Sequence, residues 1–325
     1  MNVNFILAEM TFLRYFAPVA VYLKQKGHEC AFVISESHKY NSPTKTGNLA
    51  QLELFCAQNS FSIQRQAGKA DVTFLVEGVG IEKSSGLSVS FVYQTDFLHL
   101  FKKYRSKVDC IVFPSEYIKE FYGYSKEENI LCLGIPKYLT TFSADSVHQK
   151  YGLDKSRKHA LIIWPKNRDL GKVNMSNIIQ VLLESGSEPI LKTRGKDPIP
   201  DKYRKYKNFA DKSWHPHTTC ELLKISDIAI NFGSTSIEEC VMFEVPVLNF
   251  DVKPRVRHGL EQKFRVGFEF LYEGTSIQVD DNNFAESVKA CEKEGVFDFD
   301  TTKRRYLNPS TFLMDELYGF LLKNT

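Results

Sequence analysis

The first 35 residues constrain the fold most. VNFILA is a short apolar run, RYFAPVAVYLKQKG carries apolar side chains at helical spacing before a glycine stop, and CAFVIS is apolar again. Strand, helix and strand in that order make the β-α-β unit of a parallel sheet with crossover helices. The pattern continues through DVTFLVEG, SVSFVYQ, DCIVFPS and NILCLGIP, with helix-like segments such as EYIKEFYG between some of them. Residues 1–145 are therefore predicted to form one doubly wound α/β domain.

A second series begins after the polar stretch TTFSADSVHQKYGLDKSRKH, which reads as an interdomain linker. HALIIWPKNRD, the helix-like NMSNIIQVLLESG, PILKTRG, CELLKISDIAINFG, SIEECVMFE and PVLNFDV repeat the alternation over residues 146–325. A chain of 325 residues is too long for one ordinary core and suits two domains of roughly 150 residues. Two α/β domains in tandem are expected. The terminal STFLMDELYGFLLKN has helical spacing, and this helix is expected to pack back on the domains.

Bulk properties exclude several classes. With 43% hydrophobic and 25% charged residues, the chain is globular in composition. A net charge of +3 gives no reason to expect a nucleic-acid partner. Seven cysteines, never closer than 20 residues, offer no zinc spacing and read as buried thiols in a reducing compartment. MNVNFILAEM enters a strand without a signal-like segment, and no apolar run reaches the ~18 residues that span a bilayer. The expected location is the cytoplasm, with peripheral contact to the inner face of a membrane left open.

In a parallel sheet the ligand crevice lies beyond the carboxyl ends of the strands. Those positions are polar here: Glu9 and Arg14; Gln94, Asp96 and His99; Lys166, Asn167, Arg168 and Asp169; Lys192, Thr193 and Arg194; and Gly233, Ser234, Thr235 and Ser236. If SIEECVMFE is a helix, Ser234 or Thr235 caps it, and its first N–H groups and dipole favour a phosphate that Gly233 lets approach. An ordinary capped helix reads the same way. Lys192 and Arg194 alternate after a strand, where a lysine point charge and an arginine fork hold a diphosphate, or line a solvated loop. Glu238 and Glu239 either meet a ribose or complement the helix dipole. In KSWHPHTTCELL, Trp214, His215 and His217 precede the next helix; His-x-His lacks a third ligand nearby, so no metal is expected. Arg255, Arg257 and His258 in KPRVRHG follow the last of these strands.

The run LLKISDIAINFGSTSIEECVMFEVPVLNF resembles the nucleotide-binding half of GT-B glycosyltransferases and their relatives, including CDP-glycerol glycerophosphotransferases and non-hydrolysing UDP-N-acetylglucosamine 2-epimerases. The resemblance implies two Rossmann-like domains facing a central cleft, an acceptor domain first and a donor domain second. It places Gly233, Ser234, Thr235 and Ser236 on the donor phosphates and, counting back from Pro246, Glu239 on the ribose. Glu244 stands where the family has glycine. PILKTRG sits where the glycerophosphotransferase-like group has Lys-Pro-His, so Lys192 matches and Arg194 is assigned by spacing. Trp214 and His215 fall where GT-B proteins often receive the base. VYQTDF sits where that group has Gln-x-x-His-Gly; Gln94 agrees, no histidine does, and Asp96 is the nearest polar residue.

The implied activity is metal-independent transfer of a sugar from a UDP- or CMP-linked donor to a glycan or lipid-linked glycan acceptor, in surface polysaccharide synthesis, with no other cofactor. A base must take the acceptor proton; Asp96, then Glu9, then His99 are the candidates, although Asp96 also suits a helix cap before FLHLFKKY. Fixed cations and N–H groups would hold the leaving diphosphate. The 2-epimerase alternative has the EECVMFEVPVL run in its favour but lacks that family's Gly-Thr-Arg-Pro-Glu loop, keeping only Arg14. A glycerophosphotransferase lacks its histidine, and a binding protein without catalysis fits the same residues.

Overall fold

The computed structural model describes residues 1–35, 42–93, 107–121, 124, 129–139, 142–193, 199–210, 214–250, 252, 274–293, 295–309 and 311–325. The opening β-α-β unit is β1 (Asn2–Leu7), α1 (Leu13–Gln25) and β2 (Glu29–Ile34), with β1 and β2 parallel from Asn2↔Glu29 to Leu7↔Ile34. The first sheet adds β3 (Ser62–Gln64), β4 (Val72–Val76), β5 (Leu87–Phe91), β6 (Cys110–Phe113) and β7 (Ile130–Cys132), in the order β3-β2-β1-β4-β5-β6-β7. The second contains β8 (Lys158–Ile163), β9 (Ser187–Lys192), β10 (Lys207–Phe209), β11 (Ile228–Asn231), β12 (Val247–Phe250) and β13 (Ser276–Val279), in the order β10-β9-β8-β11-β12-β13. Among the described residues every strand pairing is parallel. Both sheets are therefore built outward from a central pair, β1/β4 in one and β8/β11 in the other. That reversal point is where a doubly wound sheet opens a crevice beyond its carboxyl edge.

The chain divides into two compact units, Met1–Thr140 with Arg304–Thr325, and Thr141–Lys303. Aromatic side chains fill the first core: Phe5 stacks on Phe32 at 5.3 Å and on Phe74 at 5.1 Å, and Phe74 on Phe91 at 5.7 Å. The end of the chain completes this core. Phe312 is buried against Phe91, and the Leu313 amide donates to the Leu133 carbonyl at 2.9 Å. Gly134, at φ +85°, approaches so closely that an added Cβ would lie 2.9 Å from the Pro309 carbonyl oxygen. The terminal helix α10 (Met314–Asn324) then packs on the same unit, with Tyr318 5.9 Å from Tyr22 and its hydroxyl 3.1 Å from His28 Nε2.

The polar stretch expected to be a linker is folded. Residues Ala144–Tyr151 form α4, capped by Ser143, whose Oγ accepts from Ser146 N at 3.1 Å, and closed by left-handed Gly152. A low mean apolar content hides it from a periodicity search, because only Val147 is buried along it. Lys150 and Tyr151 instead tie it down through Glu221, whose carboxylate accepts at 2.7 and 2.5 Å. Between α1 and α4 lie α2 (Thr46–Asn59) and α3 (Glu116–Phe121); α5 (Met175–Glu184), α6 (Thr218–Leu223), α7 (Ile237–Met242), α8 (Phe284–Ala290) and α9 (Phe299–Tyr306) complete the described helices before α10.

Candidate functional site

One rung of the second sheet can be followed from edge to edge. Phe209 pairs with Lys192, Lys192 with Ile163, Asn231 with Asn249, and Asn249 with Gln278. Pairing of Ile162 with Ile230 puts Ile163 level with Asn231. Because in-register parallel residues share a face, Lys192, Asn231, Asn249 and Gln278 form a polar row along the carboxyl edge of an otherwise apolar sheet.

This row holds the Gly233–Ser236 loop. Asn231 Nδ2 donates to Asn249 Oδ1 at 2.7 Å and to the Ser234 carbonyl at 3.3 Å, while Asn231 Oδ1 accepts from the Ser234 amide at 3.1 Å. Asn249 Oδ1 also accepts from the Gly233 amide at 3.4 Å, and its Nδ2 donates to Gln278 Oε1 at 3.0 Å. Gly233 adopts φ +61°, which glycine takes at little cost, and turns the chain off β11. The expected cap at Ser234 or Thr235 moves by one or two residues. Helix α7 begins at Ile237 with Ser236 in the capping position and no side-chain cap bond, because the Ser236 backbone is already helical and the Glu238 amide donates to the Thr235 carbonyl at 3.2 Å.

Glu239 lies in the first turn of α7, buried, with Oε1 3.7 Å from His217 Nδ1. His217 precedes α6 and its Nε2 lies 3.2 Å from Thr219 Oγ1. Glu238 is buried as well. Lys192 ends β9 with its side chain buried; β8 separates it from β11, a spacing of roughly 10 Å at ~4.8 Å per strand. Trp214 is buried, and His215 is half-buried, with desolvation pushing its imidazole down to about 4. A shift in that direction keeps the ring neutral at pH 7. Among the described residues no three His, Cys, Asp or Glu side chains are grouped as a metal site would require.

Beyond β8, Asp169 is buried. Burial alone would raise its carboxyl, but Lys172 at 3.0 Å and the neighbouring Arg168 hold it below the ordinary range. Lys172 also donates to the Val252 carbonyl at 2.6 Å, joining the segments that follow β8 and β12. In the first unit, Glu9 follows β1 with extended backbone and its Oε2 accepts from Thr11 Oγ1 at 3.4 Å; Arg14 is buried in the first turn of α1. Gln94, Asp96, His99, Arg194, Arg255, Arg257 and His258 lie outside the described residues.

The structure thus brings Gly233–Ser236 and Glu239 to the reversal point of one sheet, with Lys192 on the same rung. Sequence reasoning passed over Asn231, Asn249 and Gln278, which position that loop. A signal was present: both AINFG and VLNFD end a strand in Asn-Phe, and Phe232 stacks on Phe250 at 5.3 Å beneath the paired asparagines.

No family model matches the chain, and no curated protein sequence does. Solved structures do. A wall teichoic acid polymerase, TagF, soaked with CDPG superposes with a TM-score of 0.65 at 14% identity, over 99% of this chain and 89% of that one. The glycotransferase of kitacinnamycin gives 0.63 at 10% identity, over 100% and 98%. MnaA from S. aureus, in a co-structure with UDP, gives 0.57 at 14% identity, over 99% and 96%. The fold is that of the GT-B proteins, two Rossmann-like units with C-terminal helices. Among the described residues no helix is long and apolar enough to cross a membrane.

Proposed function

We propose that this chain is a GT-B glycosyltransferase whose second unit holds a nucleotide-sugar donor and whose first unit presents the acceptor. The observation that carries the reading is the coincidence of three donor-type groups at the reversal point of the second sheet: the Gly233–Ser236 loop, buried Glu239 and buried Lys192. In that reading the Gly233–Ser236 backbone and Lys192 take the donor diphosphate, joined by Arg194, and stabilise the charge that develops as it leaves. Glu239 accepts the ribose hydroxyls, with His217 orienting its carboxylate. Trp214 and His215 border the base. Fold relatives carrying CDPG and UDP support a pyrimidine nucleotide. The acceptor is a glycan or lipid-linked glycan, and a carboxylate of the first unit takes its proton.

The test is incubation with a panel of UDP-, CDP- and CMP-linked donors and glycan acceptors, read by mass spectrometry. Sugar transfer supports the reading; a free 2-epimer formed without acceptor makes the chain an epimerase, and transferred glycerol phosphate makes it a phosphotransferase. Titration calorimetry supplies a second arm. Glu239→Ala is expected to weaken nucleotide binding roughly 10- to 100-fold by removing a charged acceptor of two hydroxyl bonds, and unchanged affinity would remove Glu239 from the ribose site.

A further inference from the structure

The opposite edge of the second sheet is polar as well. At the amino ends of β8, β9 and β10, a cavity of about 570 Å³ opens between Gly152, Leu183, Glu188 and Tyr206, inside the ~300–1,000 Å³ range of small-molecule sites. Strands of six residues, at ~3.3 Å per residue, set it roughly 20 Å from the Gly233–Ser236 loop within the same unit. Left-handed Gly152, which turns the chain out of α4, also lines a second hollow of about 670 Å³ beside Ser146, His148 and Gln149. Two hollows that share a wall fit an extended ligand.

Three cations line the first hollow, and none is closely paired with a carboxylate among the described residues. Lys205 Nζ lies over the Tyr206 ring, 5.1 Å from its centroid; Lys207 Nζ donates to the Gly152 carbonyl at 3.3 Å; and Arg157 Nε stands 3.9 Å from Asp154 Oδ2. Asp154 Oδ1 instead accepts from the Ser156 amide and hydroxyl at 2.9 and 2.8 Å. Glu188 Oε2 faces His159 Nδ1 at 4.0 Å, and that nitrogen, on a ring 1% exposed, has no hydrogen-bond partner. Glu188 therefore keeps its acceptor capacity for whatever enters the cavity. The remaining wall is apolar: Leu183 is 48% exposed and Tyr206 is half-buried. An aromatic face and an exposed leucine beside fixed cations suit a ligand that carries both apolar ring faces and acid groups.

We propose that this edge is an accessory site for an acidic glycan, a few sugars of which lie along the two hollows; the proposal rests on the glycosyl-transfer reading for the glycan class alone. Sugar faces pack on Tyr206 and Leu183, acid groups meet Lys205, Lys207 and Arg157, and hydroxyls donate to Glu188 and Asp154. The same two carboxylates oppose a nucleic acid, whose phosphates are too closely spaced to avoid them. Tethering a polymeric acceptor in this way raises its effective concentration for transfer.

The test is titration calorimetry of the full chain with three probes: a galacturonic acid hexamer, neutral maltohexaose and a thymidylate hexamer. The uronate is expected to bind at least about tenfold more tightly than maltohexaose, with an affinity that falls as salt is added. Lys205→Glu/Lys207→Glu is expected to weaken uronate binding roughly 10- to 100-fold, because charged bonds are lost. Both lysines are exposed, so the urea midpoint should stay within ~0.2 M of wild type and nucleotide Kd within about threefold. No uronate binding at millimolar concentration, equal binding of maltohexaose, tighter binding of the thymidylate, or full uronate affinity in the double variant overturns the site and leaves glycosyl transfer standing. Uronate binding by a chain that transfers no sugar keeps the site and overturns glycosyl transfer.

Discussion

Replacing Asn249 by alanine tests how the second unit holds its loop. Asn249 and Asn231 are each 1% exposed, so their own side-chain amides have no access to water. The substitution removes the acceptor of Asn231 Nδ2 at 2.7 Å and of the Gly233 amide at 3.4 Å, and the donor to Gln278 Oε1 at 3.0 Å. Gln278 is exposed and Gly233 half-buried, so both can turn to water, whereas the buried Asn231 amide group loses its short bond and keeps the longer one to Ser234. One strong bond lost and a buried donor stranded cost about 2–3 kcal/mol, against under ~1 kcal/mol for Gln278→Ala. The two tryptophans of the chain, Trp164 and Trp214, are both buried in the second unit, so tryptophan fluorescence reports that unit alone. In urea the Asn249→Ala midpoint is expected to fall by about 1 M at a slope of ~2–3 kcal/mol/M, and Asn231→Ala/Asn249→Ala to cost less than the sum of its parts. A shift below ~0.2 M, or an equal shift for Gln278→Ala, would show that the polar row does not carry the loop.

Two further outcomes follow from single residues. The folded chain holds His215 at about 4, below the ordinary 6.5, so between those values the unfolded chain binds a proton that the folded one refuses. Stability of the second unit is therefore expected to fall as pH drops from 6.5 and to level off near 4; His215→Phe should flatten this slope, and an unchanged slope refutes the burial argument. Glu244 closes α7 as the left-handed residue of a Schellman turn, with Glu244 N bonded to Val241 O and Val245 N to Cys240 O, and Lys303 meets its carboxylate at 2.6 Å. Glu244→Gly relieves about 1 kcal/mol of strain and loses an exposed ion pair of ~0–1 kcal/mol. Glu244→Ala loses the pair and keeps the strain, so the expected order of urea midpoints is Gly, wild type, Ala, and the reverse order refutes it.

The alternation of apolar runs and helical spacing was enough to read the inner strands of both sheets, because parallel strands buried on two faces leave unbroken apolar segments such as NFIL and HALII; the edge strands β3, β10 and β13 are short and partly exposed and left no such run. Helix α4 was not legible, since its anchor is Glu221, some seventy positions later, and an apolar pattern carries no trace of an ion pair. The Gly233–Ser236 loop was legible from GSTSIEE, but its supports were not. Asn231 and Asn249 are neighbours only once strand register is known, and register comes from tertiary pairing. At Glu244, where the resembling family has glycine, the backbone conformation glycine would favour is present and a glutamate adopts it.

The return of the chain to its first unit sets an order on synthesis. Phe312, Leu317 and Leu321 complete a core whose strands lie before residue 140. At about 5–20 residues per second a ribosome needs roughly ten to forty seconds to cross from one to the other. For that interval the earlier sheet waits with Phe91 and Gly134 uncovered, while residues Thr141–Lys303 emerge and can close on themselves. The part of the molecule that starts second is thus the first that can finish, and a chain ending near residue 303 would hold every strand of the second unit beside a first unit still lacking its last side chains.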